Sequence, residues 1–175
     1  LLAEEILRID YDIVLMGFML FAAFYYRNNK SICYLALILF SFHVLYRCLY
    51  DAIYHLPNVR VTWNLSWMLL DFLMFSAVVL KRRFWPDKRD LYILGLSFVY
   101  MLTQAMQFVD WNFYGHIVMR DVVRFTTPTI NTLLVVVLTQ DLLKNLIGKL
   151  INLALRTFHL LHKHANKSNQ GITRI

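Results

Sequence analysis

The chain carries only two cysteines, Cys33 and Cys48, and both fall on one expected helix. Fifteen residues of helix set them about 22 Å apart at 1.5 Å per residue, whereas a disulfide needs Cα atoms within about 7 Å. They do not pair with each other, which argues against a quinone-linked thiol oxidoreductase, and two buried, inert thiols are expected. Charge is also scarce: 17% of residues are charged against 59% apolar. With a mean hydropathy of +0.50 and repeated apolar runs of spanning length, that scarcity excludes a soluble globular domain. Within 175 residues there is no room for a sizeable soluble module beside four or five spans. No HExxH, GxSxG or carboxylate pair at ligand spacing occurs, so no metal, cofactor or catalytic residue is expected. No signal-peptide pattern precedes the first apolar segment.

What remains is an all-α, polytopic membrane chain. Five spans are expected at about 10–26, 31–56, 61–80, 91–110 and 118–140, forming one transmembrane domain over 1–140. An amphipathic helix over 141–164 and a disordered tail over 165–175 follow. Gly17, Ala22 and Ala23 in the first span offer places for close helix approach. Pro57 stops the second span. Pro128 should kink the fifth, leaving the Arg124 carbonyl to water or to a hydroxyl such as Thr127. Thirteen of the eighteen lysines and arginines fall on one side of this frame. By the positive-inside rule that side is cytoplasmic, with the N-terminus outside and the C-terminus inside. A bacterial inner membrane is the expected location. The formal charge of +7 is explained by these loops and needs no nucleic acid.

The second span organises the rest. His43, Arg47, Asp51 and His55 recur at i+4 and form one ladder, with Tyr46, Tyr50 and Tyr54 as a second ladder beside it. Charge facing lipid costs several kcal/mol, so this face should turn toward protein or trapped water. Asn64, Trp67 and Asp71 share a face of the third span, Gln107 and Asp110 lie near the end of the fourth, and Arg120, Asp121, Arg124 and Asn131 open the fifth. All sit from mid-membrane outward, which defines an outward-facing polar seam. Depth arithmetic across the Pro57 turn puts Arg47 and Asp71 each about 15 Å inward, and the two are expected to form an ion pair, with Asp51 as a competing partner for Arg47.

Each functional reading has a plainer competitor. His43 could ligate a haem, but His55 and His116 lie near the outer boundary, away from its depth, so a structural hydrogen bond is expected. Intramembrane Arg and Asp more often pair than catalyse. The basic run Lys81, Arg82, Arg83, Lys88 and Arg89, together with Lys149, Arg156 and Lys163, is expected to form a cytoplasmic contact surface. The C-terminal leucine face suits either a lipid surface or an oligomer seam. The leading expectation is a non-enzymatic, oligomeric membrane subunit or scaffold that touches the bilayer and a partner or sister chain on its cytoplasmic side. An ion or proton channel or transporter using the seam is the alternative, and a lipid-headgroup enzyme a further one.

Overall fold

The computed structural model describes the backbone of residues 2–114 and 119–172, and side chains over 11–59, 61–114 and 119–157. Five helices account for it: α1 (Leu2–Tyr25), α2 (Lys30–Tyr54), α3 (Val59–Phe84), α4 (Lys88–Phe113) and α5 (Met119–Ile172). No strand occurs among the described residues. Four helices, α2 to α5, are long and apolar enough to cross a membrane, while the apolar part of α1, Tyr11–Tyr25, is shorter. The chain divides into two compact units, 1–138 and 139–175. In the second, Leu146, Leu150 and Leu153 are all more than half exposed. The helical backbone of α5 continues to Ile172, through the segment expected to be a tail.

Helix ends follow local chemistry. Asn29 caps α2, its side chain accepting from the Ile32 amide, which satisfies one of the orphan donors of a first turn. After Pro57 the chain reverses through Asn58 at φ 55°, the left-handed region that asparagine tolerates better than most residues. Trp85, preceding Pro86, leaves the helix at φ −138°, as the residue before a proline should. Asp87 and Asp90 form a capping box on α4.

Along the bundle, polarity is sorted by height. The buried apolar core is built from Met19, Ala22 and Ala23 of α1, Leu35, Ala36 and Leu39 of α2, Met74 and Val78 of α3, Ile93 of α4, and Leu134 and Leu138 of α5. On every helix these residues lie toward the end marked by Trp85, away from the Pro57 turn. Close backbone packing runs in chain order, α1 on α2, α2 on α3 and α3 on α4, and α5 joins through side chains. Ala22 and Ala23 are buried as expected. Gly17 is not a close-approach site: it is exposed, and a Cβ there would meet nothing within 4 Å.

Beyond this core, the Trp85 end holds a polar knot. Lys81 Nζ donates to Asp90 Oδ1 at 2.6 Å and to Ser31 Oγ at 2.7 Å. Ser31 Oγ donates to the Trp85 carbonyl at 2.7 Å, and Asp90 Oδ2 accepts from the Asp87 amide at 2.9 Å. The start of α2, the end of α3 and the start of α4 are thereby tied together. Arg89 is buried with its guanidinium over the Tyr26 ring, 5.3 Å from the centroid. Lys81 and Arg89 are therefore not part of an exposed contact surface, because α3 and α4 extend further than the apolar pattern shows and carry both inside the bundle. Arg83 and Lys88 are exposed and Arg82 is half-buried. Removing one partner of a buried pair strands the other charge at about 3–5 kcal/mol. Lys81→Met should therefore lower thermal stability in detergent sharply, and Lys81→Met/Asp90→Leu should recover part of the loss.

Candidate functional site

Toward the Pro57 end the five helices part around a cavity of about 590 Å³. From α1 come Tyr11, Asp12 and Met16, and from α2 the two ladders of the second span, His43 and Arg47 beside Tyr46 and Tyr50. Trp63, Trp67 and Asp71 of α3 face them, and Tyr100, Gln104 and Gln107 of α4 close another side. The last wall is α5, with Val123, Arg124, Thr127, Pro128 and Asn131. The i+4 and i+3 spacings explain the arrangement, since each helix presents one polar or aromatic stripe here and apolar residues elsewhere.

Aromatic rings form the α2–α3 side. Tyr46 meets Trp67 edge-on at 5.6 Å between centroids, Tyr50 meets Trp63 edge-on at 5.2 Å, and Trp63 meets Trp67 at 5.3 Å. Such edge-to-face contacts add about 0.5–1.5 kcal/mol each beyond burial. Tyr54 continues the ladder against Trp63 at 6.1 Å. Across the cavity, the Tyr11 hydroxyl donates to the Pro128 carbonyl at 2.7 Å, linking α1 to α5. Thr132 Oγ1 donates to the same oxygen at 2.8 Å.

At the cavity floor, Tyr46 donates its hydroxyl proton to Asp71 Oδ1 at 2.6 Å. Asp71 is 1% exposed, and its Oδ2 has no hydrogen-bond partner. The His43 ring, 5.9 Å from that of Tyr46, places Nδ1 3.0 Å from the Leu39 carbonyl. A carbonyl can only accept, so Nδ1 carries the proton, and in the neutral ring Nε2 is a bare acceptor. That Nε2, on a residue 7% exposed, is unpartnered. Gln104, 5% exposed, leaves Oε1 unpartnered on the same cavity. Three such atoms belong to residues that line this one cavity, which makes it the candidate site.

The expected Arg47–Asp71 ion pair does not form. Both side chains line the cavity at matching depth, but Asp71 turns to Tyr46, and Arg47 is exposed without an ion pair among the described residues. Of the expected seam, His43, Arg47, Asp71, Gln107, Arg124 and Asn131 meet at the cavity. Asp51 and His55 do not; they are exposed on the Pro57 side, where His55 Nδ1 sits 2.7 Å from the Asp51 carbonyl. Asp110 is buried as a clamp, its Oδ2 accepting from the Met119 amide at 2.9 Å and fixing the start of α5. Arg120 and Asp121 form an exposed pair at 3.5 Å. His116 and the Lys163 side chain lie outside the described residues. Lys149 and Arg156 are exposed on α5. Among the described residues no cluster of His, Cys, Asp and Glu could hold a metal.

Fold and site together define an all-α bundle, with four helices of spanning length, around a polar and aromatic cavity. No family model matches the chain, and neither a curated protein nor a solved structure matches it. The site's own chemistry must carry the functional reading.

The Tyr46–Asp71 bond generates a direct test. Tyr46→Phe should destabilise the protein by about 1–3 kcal/mol, the cost of leaving a buried acceptor unmet, while Arg47→Gln should cost under about 0.5 kcal/mol, as an exposed substitution does. In double-mutant cycles read by thermal unfolding, Asp71→Asn should couple to Tyr46→Phe and not to Arg47→Gln.

Proposed function

We propose that the chain is a five-span membrane protein, N-terminus outside and C-terminus in the cytoplasm, and that it acts as a non-enzymatic, membrane-embedded binding subunit. Its outward half is a ligand chamber and its inner half a closed apolar plug. The observation that carries this reading is the sorting of polarity by height. Polar and aromatic residues of all five helices surround the cavity toward the Pro57 turn. Met19, Leu35, Leu39, Val78, Ile93 and Leu138, each fully buried, fill the bundle on the other side. A conducting path needs polar or wetted groups along its whole length, so this order favours a chamber over a channel.

Placement in a bacterial inner membrane and the choice of cytoplasmic face rest on the lysine and arginine bias. The exposed leucine face of α5, with Leu146, Leu150 and Leu153 beside Lys149 and Arg156, supports a contact there with a sister chain or partner helix. Accessibility tests the chamber. In a background with Cys33 and Cys48 replaced by serine, Val123→Cys should react with a membrane-impermeant thiol reagent added outside intact cells. In inverted vesicles it should be silent. Labelling from both sides would reject the plug and favour the channel. A cytoplasm-active reporter should signal after Lys163 and stay silent at Leu1; equal signals would reject five spans.

A further inference from the structure

We infer that a groove between α2 and α3 holds one acyl chain of an anionic phospholipid, with the headgroup seated among the basic residues at the Trp85 end. The groove is separate from the chamber: no residue lines both, and only the placement of the bundle in a bilayer is common to the two. Its volume is about 550 Å³. On α2 it is lined by Tyr34, Leu37 and Ser41, and on α3 by Ala77, Leu80 and Phe84. Each set keeps helical steps of three and four and so forms one stripe. Seven residues of helix carry the groove about 10 Å along the bundle at 1.5 Å per residue. That is about two-thirds of the depth one leaflet contributes to a hydrocarbon core of about 30 Å. The two small side chains, Ser41 and Ala77, face each other at the end away from Trp85, where longer ones would close the seam. Lys81 also lines the groove, but its ammonium is spent on Asp90 and Ser31, so the groove itself offers no free charge.

Charge at the mouth selects the lipid. The Tyr34 and Trp85 rings meet there at 4.6 Å between centroids, and such rings favour the headgroup level of a bilayer. The Ser31 hydroxyl, bonded to the Trp85 carbonyl, fixes them at that height. Around them stand Lys30, next to Ser31, then Arg83, two residues beyond Lys81, and Lys88, next to Asp87. All three are exposed, and none has an ion pair among the described residues. Lys30 lies one turn before Tyr34 and continues its stripe toward the headgroups. The acids of this end are already used, Asp87 in capping α4 and Asp90 in holding Lys81. Unmatched positive charge on the rim of an apolar groove is the complement of a phospholipid with a net negative headgroup. A zwitterionic lipid leaves that charge unmet. A second copy docked two-fold on this face would bring two such clusters to the same height, and the long side chains of Leu37, Leu80 and Phe84 lack the small-residue ridge that lets membrane helices approach.

The test uses the full chain in phosphatidylcholine bilayers, with chain-brominated phosphatidylglycerol or chain-brominated phosphatidylcholine added. Bromine quenches tryptophan on contact, and the quenching lost in Trp85→Phe reports Trp85 alone. Saturable quenching of Trp85 is expected, half-complete at a mole fraction of phosphatidylglycerol about fivefold or more below that of phosphatidylcholine, since one basic residue at a charged surface is worth about that factor. Lys30→Gln/Arg83→Gln, at exposed positions, should bring the two lipids to equal effect. Ser41→Phe/Ala77→Phe, which fills the groove, should leave quenching proportional to the brominated fraction and the same for both. Equal quenching by the two lipids in the unmutated chain overturns the inference. A phosphatidylglycerol preference that survives the filled groove also overturns it, by placing the lipid on the basic rim alone. Quenching by neither lipid overturns it as well and, with a dimer mass, marks the face as covered by a second copy. If the filled chain fails to insert, the Lys30→Gln/Arg83→Gln comparison decides, because a preference that it leaves intact removes the assignment.

Discussion

A polar atom inside so apolar a bundle has to be met by another polar atom, because neither the packed core nor a surrounding bilayer can meet it. The two ends of the bundle answer this constraint differently. At the Trp85 end, Asp90 spends one oxygen on Lys81 and the other on the Asp87 amide, and Lys81 spends a further donor on Ser31. That network closes on itself and fastens three helix ends. At the Pro57 end, Asp71 spends one oxygen on Tyr46 and keeps the other. The same residue type has both oxygens bonded at one end and one bonded oxygen at the other.

Between the ends lies a largely apolar layer, in which Ser97 and Thr139 are the buried polar residues. Without a hydrophobic drive between helices in lipid, this layer is held by close van der Waals packing, and buried alanines at positions 22, 23 and 36 let the α1 and α2 backbones approach. The layer separates two electrostatic environments, so the charges at one end do not tune those at the other through direct contact.

Much of this was legible in the sequence. The i+4 steps of the second span group Tyr46 with Tyr50 and His43 with Arg47, and counting from Pro57 puts Arg47 and Asp71 at one depth, where both line the cavity without pairing. What counting cannot give is rotation about the helix axis: one residue is 100° of turn, and that separates Tyr46, which reaches the Asp71 oxygen, from Arg47, which does not. The burial of Lys81 and Arg89 is hidden in the sequence for another reason. A basic run flanking Trp85 and Pro86 resembles a surface loop, and only the caps, with Asp90 reaching back to Asp87, show that both cations belong to helices. Gly17 fits the spacing of a helix contact, yet nothing approaches it. Its composition carried no information about which way it faced.

The wall formed by α5 differs in kind from the other four. Backbone meets backbone from α1 through α4, while α5 is held near the cavity by side chains and by the Tyr11 hydroxyl reaching the Pro128 carbonyl. Elements with fewer close contacts open at lower free energy than the body they lean on, and a proline has already removed one rung from this helix's own ladder. Of the five walls, α5 is thus the one tied to the others by side chains, through the Tyr11 hydroxyl, the Asp110 carboxylate and its buried leucines.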